Sequence, residues 1–301
     1  MQTQYRPVHP SRSDTLVIRG IEYRIRRWGR RGGRPLLLLH GWMDCAATFQ
    51  FMIDAAPAEL LEYDLIAPDW RGFGASAWAA EGYYFPDYLA DLDALLDQLA
   101  PERPVDLLGH SMGGMVASLY AGIRPERVAR LVSLEGFGLP RTTPEQAPAR
   151  YLRWLDECKT PPAERPLRGL PELAGRLRKF NPRLSEDKAA WLAAELSAEV
   201  DGQLRQLADP RHRWVNPVLY RLEEAMACWR QVQAPVLWLA GDEAKLLGWM
   251  GETPEQFALR RDCFTSLCYE SLPDCGHNLH HDAPGRVAAS VSAFFENAAR
   301  E

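Results

Sequence analysis

The chain has 301 residues, 47% hydrophobic and 25% charged, a composition that supports a sizeable globular core. Its formal net charge is only -5, with lysine and arginine dispersed along the sequence, which argues against a nucleic-acid surface. No stretch reaches the ~18 consecutive apolar residues of a membrane span, and residues 1–14 lack the apolar segment of a secretory signal.

Residues 15–29, TLVIRGIEYRIRRWG, read as two strands around a turn at Arg19–Gly20. Five short apolar runs follow at 35–40, 63–69, 105–109, 128–135 and 234–241. They are nearly continuous rather than alternating, the pattern of strands buried on both faces in a parallel sheet. Between them, residues 85–100 place Tyr88, Leu92, Leu95, Leu96 and Leu99 on one helical stripe. A second helix begins at about Gly114 and stops near Pro125. Alternating strand and helix imply the α/β class with a mainly parallel sheet.

Between about Gly138 and Val232 this alternation breaks. The segment is rich in arginine and proline, has helical stretches such as EDKAAWLAAELSAEV, and carries Trp154, Trp191, Trp214 and Trp229. It reads as a helical insertion, 139–232, in a core made of 1–138 and 233–301. APVLWLAG then resumes the core, a strand-like run occupies 267–272, and 284–299 fits a closing amphipathic helix. The six cysteines, Cys45, Cys158, Cys228, Cys263, Cys268 and Cys275, show no CxxC pair and no ligand-like spacing with histidine. They read as scattered thiols of a reducing compartment, so the cytoplasm is the expected location.

The stretch GHSMGG, 109–114, lies between a predicted strand and a predicted helix and matches the G-x-S-x-G nucleophile elbow. A serine on so sharp a turn leaves no room for neighbouring side chains, which accounts for Gly109, Gly113 and Gly114. The helix that follows aims its N-terminus, with its dipole and unpaired N–H groups, at negative charge developing near Ser111. Serine needs a base to become a good nucleophile. Of the seven histidines, His277 stands in a loop between the last strand and the last helix, on the sheet edge that carries the serine. His280 and His281 are its close rivals and read as exposed or helix-starting residues. His110 adjoins the serine, and adjacent side chains on an elbow point apart.

With these motifs the chain resembles the α/β-hydrolase superfamily, specifically its GHSMGG-type serine hydrolases with a helical cap. LLLLHGWMD, 36–44, resembles the family's oxyanion loop, and PDWRGFGAS, 68–76, its D-x-R-G-x-G-x-S turn. The resemblance covers about residues 15–138 and 232–299. It implies an α/β-hydrolase fold, with the N–H groups of Trp42 and Met112 as the oxyanion hole and Asp69 and Arg71 bracing a turn. The usual acid position, three residues past Gly241, holds Ala244, a departure from the family pattern. Asp242 and Glu243 lie one or two positions early. A subset of the superfamily carries its acid at the end of the preceding strand, where Glu135 stands. A lone glutamate ending an apolar strand is costly to bury unless paired, so Glu135 is favoured over Asp242.

The implied reaction is hydrolysis of a carboxylic ester through an acyl-enzyme, with catalytic Ser111, His277 and Glu135 and with neither metal nor organic cofactor. Thioester and carbon–carbon bond cleavage share the same triad. A non-catalytic ligand-binding protein of this fold is the alternative of another class. The cap's tryptophans point to a small apolar or aromatic ester-like substrate, while its arginines Arg150, Arg153, Arg176 and Arg178 read as a solvated face. Neither nucleic acid nor membrane is an expected partner, and a homodimer stays open.

Overall fold

A computed structural model describes residues 4–162, 166–242 and 245–297. Eight strands form one sheet: β1 (Arg12–Ile18), β2 (Ile21–Gly29), β3 (Pro35–Leu39), β4 (Asp64–Pro68), β5 (Val105–His110), β6 (Val128–Leu134), and two later strands at Val236–Gly241 and Leu267–Leu272. The short strands β7 (Ser197–Val200) and β8 (Gln203–Gln206) form a separate hairpin, so the two later sheet strands are β9 and β10. The order across the sheet is β1-β2-β4-β3-β5-β6-β9-β10. The β1–β2 and β2–β4 pairs are antiparallel and every other pair is parallel.

The continuous apolar runs have a direct cause. In β3, Leu37 and Leu39 enter one hydrophobic cluster while Leu36 and Leu38 enter another on the opposite face, and all four are fully buried. Helices Phe85–Leu99, Met112–Ile123 and Leu222–Trp229 cover the first face. Helices Gln50–Asp54 and Pro284–Asn297 cover the second. Strands β3, β4, β5, β6 and β9 are thus buried on both sides almost throughout, as a sheet between two helical layers requires, while the edge strands β1 and β10 stay largely exposed.

The segment between β6 and β9 contains helices Ala147–Lys159, Leu170–Phe180 and Glu186–Glu195, then the β7–β8 hairpin, then Leu222–Trp229. An all-helical insertion was expected, and the hairpin departs from it. Its turn is Asp201–Gly202, both at positive φ (52° and 72°), as a two-residue hairpin turn demands. Helices Leu170–Phe180 and Glu186–Glu195 share a small core of their own, built from Leu173, Leu184, Leu192 and Leu196. That core rests on Cys45, Ala47 and Phe51, just after β3. The last helix of the segment packs instead against Met112–Ile123, where a side chain at Gly122 would overlap the Cys228 carbonyl.

Candidate active site

Ser111 sits between β5 and helix Met112–Ile123 with φ 50° and ψ −115°, a conformation that costs an L-residue energy and lifts its side chain off the sheet. Backbone crowding explains the flanking glycines. A Cβ on Gly109 would overlap the Gly113 carbonyl, and one on Gly113 would overlap the Leu39 carbonyl at the end of β3. Ser111 N donates to the Leu134 carbonyl at 2.8 Å, pinning the elbow to the neighbouring strand.

Three further segments reach the serine. The Gly41–Trp42 loop passes so close that a Cβ on Gly41 would stand 3.3 Å from Ser111 Cβ. The Trp42 N–H makes no hydrogen bond among the described residues, and Met112 holds the first position of its helix, where N–H groups have no intrahelical acceptor. The Trp42 side chain is 53% exposed, and its Nε1 donates to the His212 carbonyl at 3.2 Å. It is therefore a wall at the mouth of the site and not a core aromatic.

Glu135 follows β6 at φ 54°, which throws its carboxylate sideways toward the end of β9. There Oε1 accepts from Gly241 N at 2.7 Å and Oε2 lies 3.4 Å from His277 Nδ1. The Glu135 side chain is fully buried and that of His277 half exposed. Burial pushes the glutamate's pKa up from the usual carboxylate value, opposed by hydrogen bonds from His277 and Gly241. Asp242 is placed otherwise: its Oδ1 accepts from Cys275 N at 3.4 Å, bracing the loop before His277, and it does not line the cavity. Glu243 and Ala244 lie outside the described residues.

Ser111, Met112, Trp42, Glu135 and His277 all line one cavity of about 610 Å³. No hydrogen bond joins Ser111 Oγ to His277 among the described residues; unliganded catalytic contacts commonly tighten only around substrate. Of the four tryptophans singled out in the insertion, Trp154 and Trp214 line this cavity. Trp191 packs edge-on against Tyr5 and Phe51, and Trp229 is buried with Nε1 donating to Ser118 Oγ at 3.1 Å. Much of the aromatic wall comes from Tyr83, Tyr84, Phe85 and Tyr88, outside the insertion. The run YYF at 83–85 was the signal for it.

His280 and His281 stand at the start of a helix, as one of the two readings had it, but they are buried and not exposed, because the short helix Leu279–Asp282 turns them inward onto Thr48. His110 is also buried, its Nε2 3.0 Å from the His277 carbonyl. Asp69 and Arg71 are turn braces, as expected. Asp69 accepts from Ala46 N at 2.7 Å and Ala75 N at 2.9 Å, and Arg71 forks onto Asp91 at 2.5 and 2.6 Å. Of the insertion's arginines, Arg150 donates to the Asn216 carbonyl, while Arg153 and Arg176 pair with Glu157 and Glu172 on their own helices.

A family model for the alpha/beta hydrolase fold matches residues 34–284. A serine hydrolase-like protein of Danio rerio is 30% identical over 289 residues, covering 91% of this chain and 85% of the relative. Lipase LipV of Mycobacterium tuberculosis is 28% identical, covering 90% of this chain and 97% of its own. Among solved structures, a thioesterase domain from the curacin biosynthetic pathway superposes with a TM-score of 0.80 at 26% identity, covering 94% of this chain and 99% of the domain. The chain belongs to the α/β-hydrolase fold family, among its serine hydrolases.

Proposed function

We propose that the protein hydrolyses carboxylic esters of neutral, apolar or aromatic substrates, and that the insertion acts as a cap over the reacting carbonyl. The convergence of Ser111, His277 and Glu135 on one aromatic-lined cavity carries this reading. Ser111 Oγ attacks the carbonyl carbon as His277 Nε2 takes its proton. Glu135 holds the ring with Nδ1–H toward its own buried carboxylate and offsets its positive charge. The N–H groups of Trp42 and Met112 receive the oxyanion, a contribution of about 3–4 kcal/mol per donor in comparable sites. His277 then protonates the departing alcohol. Water, deprotonated by the same imidazole, attacks the acyl-serine and releases the acid and the free hydroxyl.

Neutrality of the substrate follows from the wall. Arg211 is the one cation lining the cavity among the described residues, and it is committed to Asp209 at 2.6 Å and to the carbonyls of Ala79 and Ala80. An anionic substrate has no free counter-charge there. Six unpaired cysteines support the cytoplasm as its location.

A series of p-nitrophenyl esters tests the proposal. The expected result is kcat/KM rising with acyl length to ~4–8 carbons, the span a cavity of this size holds, with p-nitrophenyl hemisuccinate at least tenfold poorer than the butyrate. No turnover of any ester would overturn it. A thioesterase is the second reading, favoured by the superposition on the curacin domain; faster turnover of a matched acyl thioester than of the ester would select it.

A further inference from the structure

Against the His277 loop lies a polar cluster that does not line the cavity and that the proposed hydrolysis leaves unused. Asp44, His110 and His280 each bring a ligand atom to within 4.8 Å of the other two. His110 is 3% exposed and His280 fully buried, while Asp44 is only partly covered and leaves an edge open to solvent.

The hydrogen bonds fix which atoms are available. His110 Nε2 lies 3.0 Å from the His277 carbonyl, which can only accept, so Nε2 carries the proton and Nδ1 carries a lone pair. That Nδ1 is buried without a partner. Space exists beside it because residue 41 is glycine, where a Cβ would come within 3.0 Å of Nδ1. On His280, Nε2 is 2.9 Å from Thr48 Oγ1, and Nδ1 is again buried and unpartnered. The carboxylates Asp44 and Asp69 point the same way. Among the described residues neither carboxylate forms an ion pair, and Arg26, whose charge reaches Asp69, pairs with Glu195 at 2.5 Å.

We propose that Asp44, His110 and His280 bind one divalent transition-metal ion of the zinc class, through the Asp44 carboxylate and the two imidazole Nδ1 atoms. Two nitrogens and one carboxylate oxygen suit zinc, cobalt or nickel rather than calcium or magnesium. Bond lengths near 2.0–2.2 Å put tetrahedral ligands about 3.4 Å apart, so the three ligand atoms, within 4.8 Å of one another here, draw together on binding, and water enters from the Asp44 side as the fourth ligand. The outer contact is already in place: a metal-bound histidine commonly donates its second N–H to a backbone carbonyl, and here that carbonyl belongs to His277. Occupancy therefore stiffens the loop that carries the catalytic imidazole.

Cobalt(II) is the probe. EDTA-stripped protein is titrated with Co²⁺ and followed by equilibrium dialysis and visible absorption. The expected result is one ion per chain, with four-coordinate bands in the visible and no thiolate band in the near ultraviolet. Asp44→Asn and His280→Gln should each weaken binding by more than the ~10–100-fold that loss of an outer hydrogen-bond partner costs. Absence of stoichiometric binding, affinity unchanged in both variants, or a thiolate band from the exposed Cys158 or Cys268 would overturn the proposal. Should either variant fail to fold, X-ray absorption on the cobalt-loaded native chain decides. Two imidazoles without sulfur sustain the site, and any other ligand set removes it.

Discussion

Replacing Glu135 with glutamine changes one atom in a buried position and should cost most of the activity. Gly241 N already donates to Oε1 at 2.7 Å, so the glutamine oxygen stays there and its NH₂ turns toward His277 Nδ1 at the 3.4 Å position of Oε2. An NH₂ facing Nδ1 requires that nitrogen to accept, which moves the ring proton to Nε2 and leaves nothing to receive the serine proton. In a serine protease this tautomer change lowers kcat about 10⁴-fold, equivalent to about 5 kcal/mol at 1.36 kcal/mol per decade. The same loss is expected in kcat with p-nitrophenyl butyrate, while KM moves less than ~threefold because the cavity wall is intact. Asp242→Asn is the control: among the described residues its side chain accepts only from the Cys275 N–H, and its kcat should stay within ~threefold of the parent. An active Glu135→Gln enzyme beside a crippled Asp242→Asn enzyme would refute the assignment.

The elbow and the buried histidines give two more expectations. Gly113→Ala forces a methyl group into the Leu39 carbonyl and should lower unfolding stability by about 3 kcal/mol, seen as a lower urea midpoint; a change below ~0.5 kcal/mol would contradict the crowding. Burial lowers His40 to about 3, His212 and His281 to about 4, and His110 and His280 well below the ordinary 6.5. In the unfolded chain these imidazoles protonate near 6.5 and in the folded chain they resist, so their contribution is complete above pH 6.5 and is lost as pH falls toward 4. The raised carboxylates Asp44, Asp69 and Glu135 take up protons earlier in the folded state and offset part of this. The unfolding free energy should therefore fall between pH 6.5 and 4, by about 1.4 kcal/mol per pH unit for each net proton; a flat profile there would show the imidazoles to be solvated.

The central strands were legible because two-sided burial writes an unbroken apolar run, and the elbow because its crowding admits only glycine. Glu135 was legible as a charge ending such a run. What escaped was set by packing between distant segments. The β7–β8 hairpin has half-exposed strands without an apolar run, and only Asp201–Gly202 announces it. Trp154 and Trp191 both sit on insertion helices, yet one lines the cavity and the other packs on Tyr5; neighbours far along the chain decide which. The inward turn of His280 and His281 likewise depends on Thr48, more than two hundred residues away.

The central claim is that the residue 111 hydroxyl is activated by the residue 277 imidazole. Labelling with a fluorophosphonate, followed by mass spectrometry of the digested protein, tests it most directly. The adduct is expected on the peptide containing Ser111 alone, absent in Ser111→Ala and slowed at least ~10³-fold in His277→Ala. No adduct, or one that forms equally fast without His277, would contradict the account.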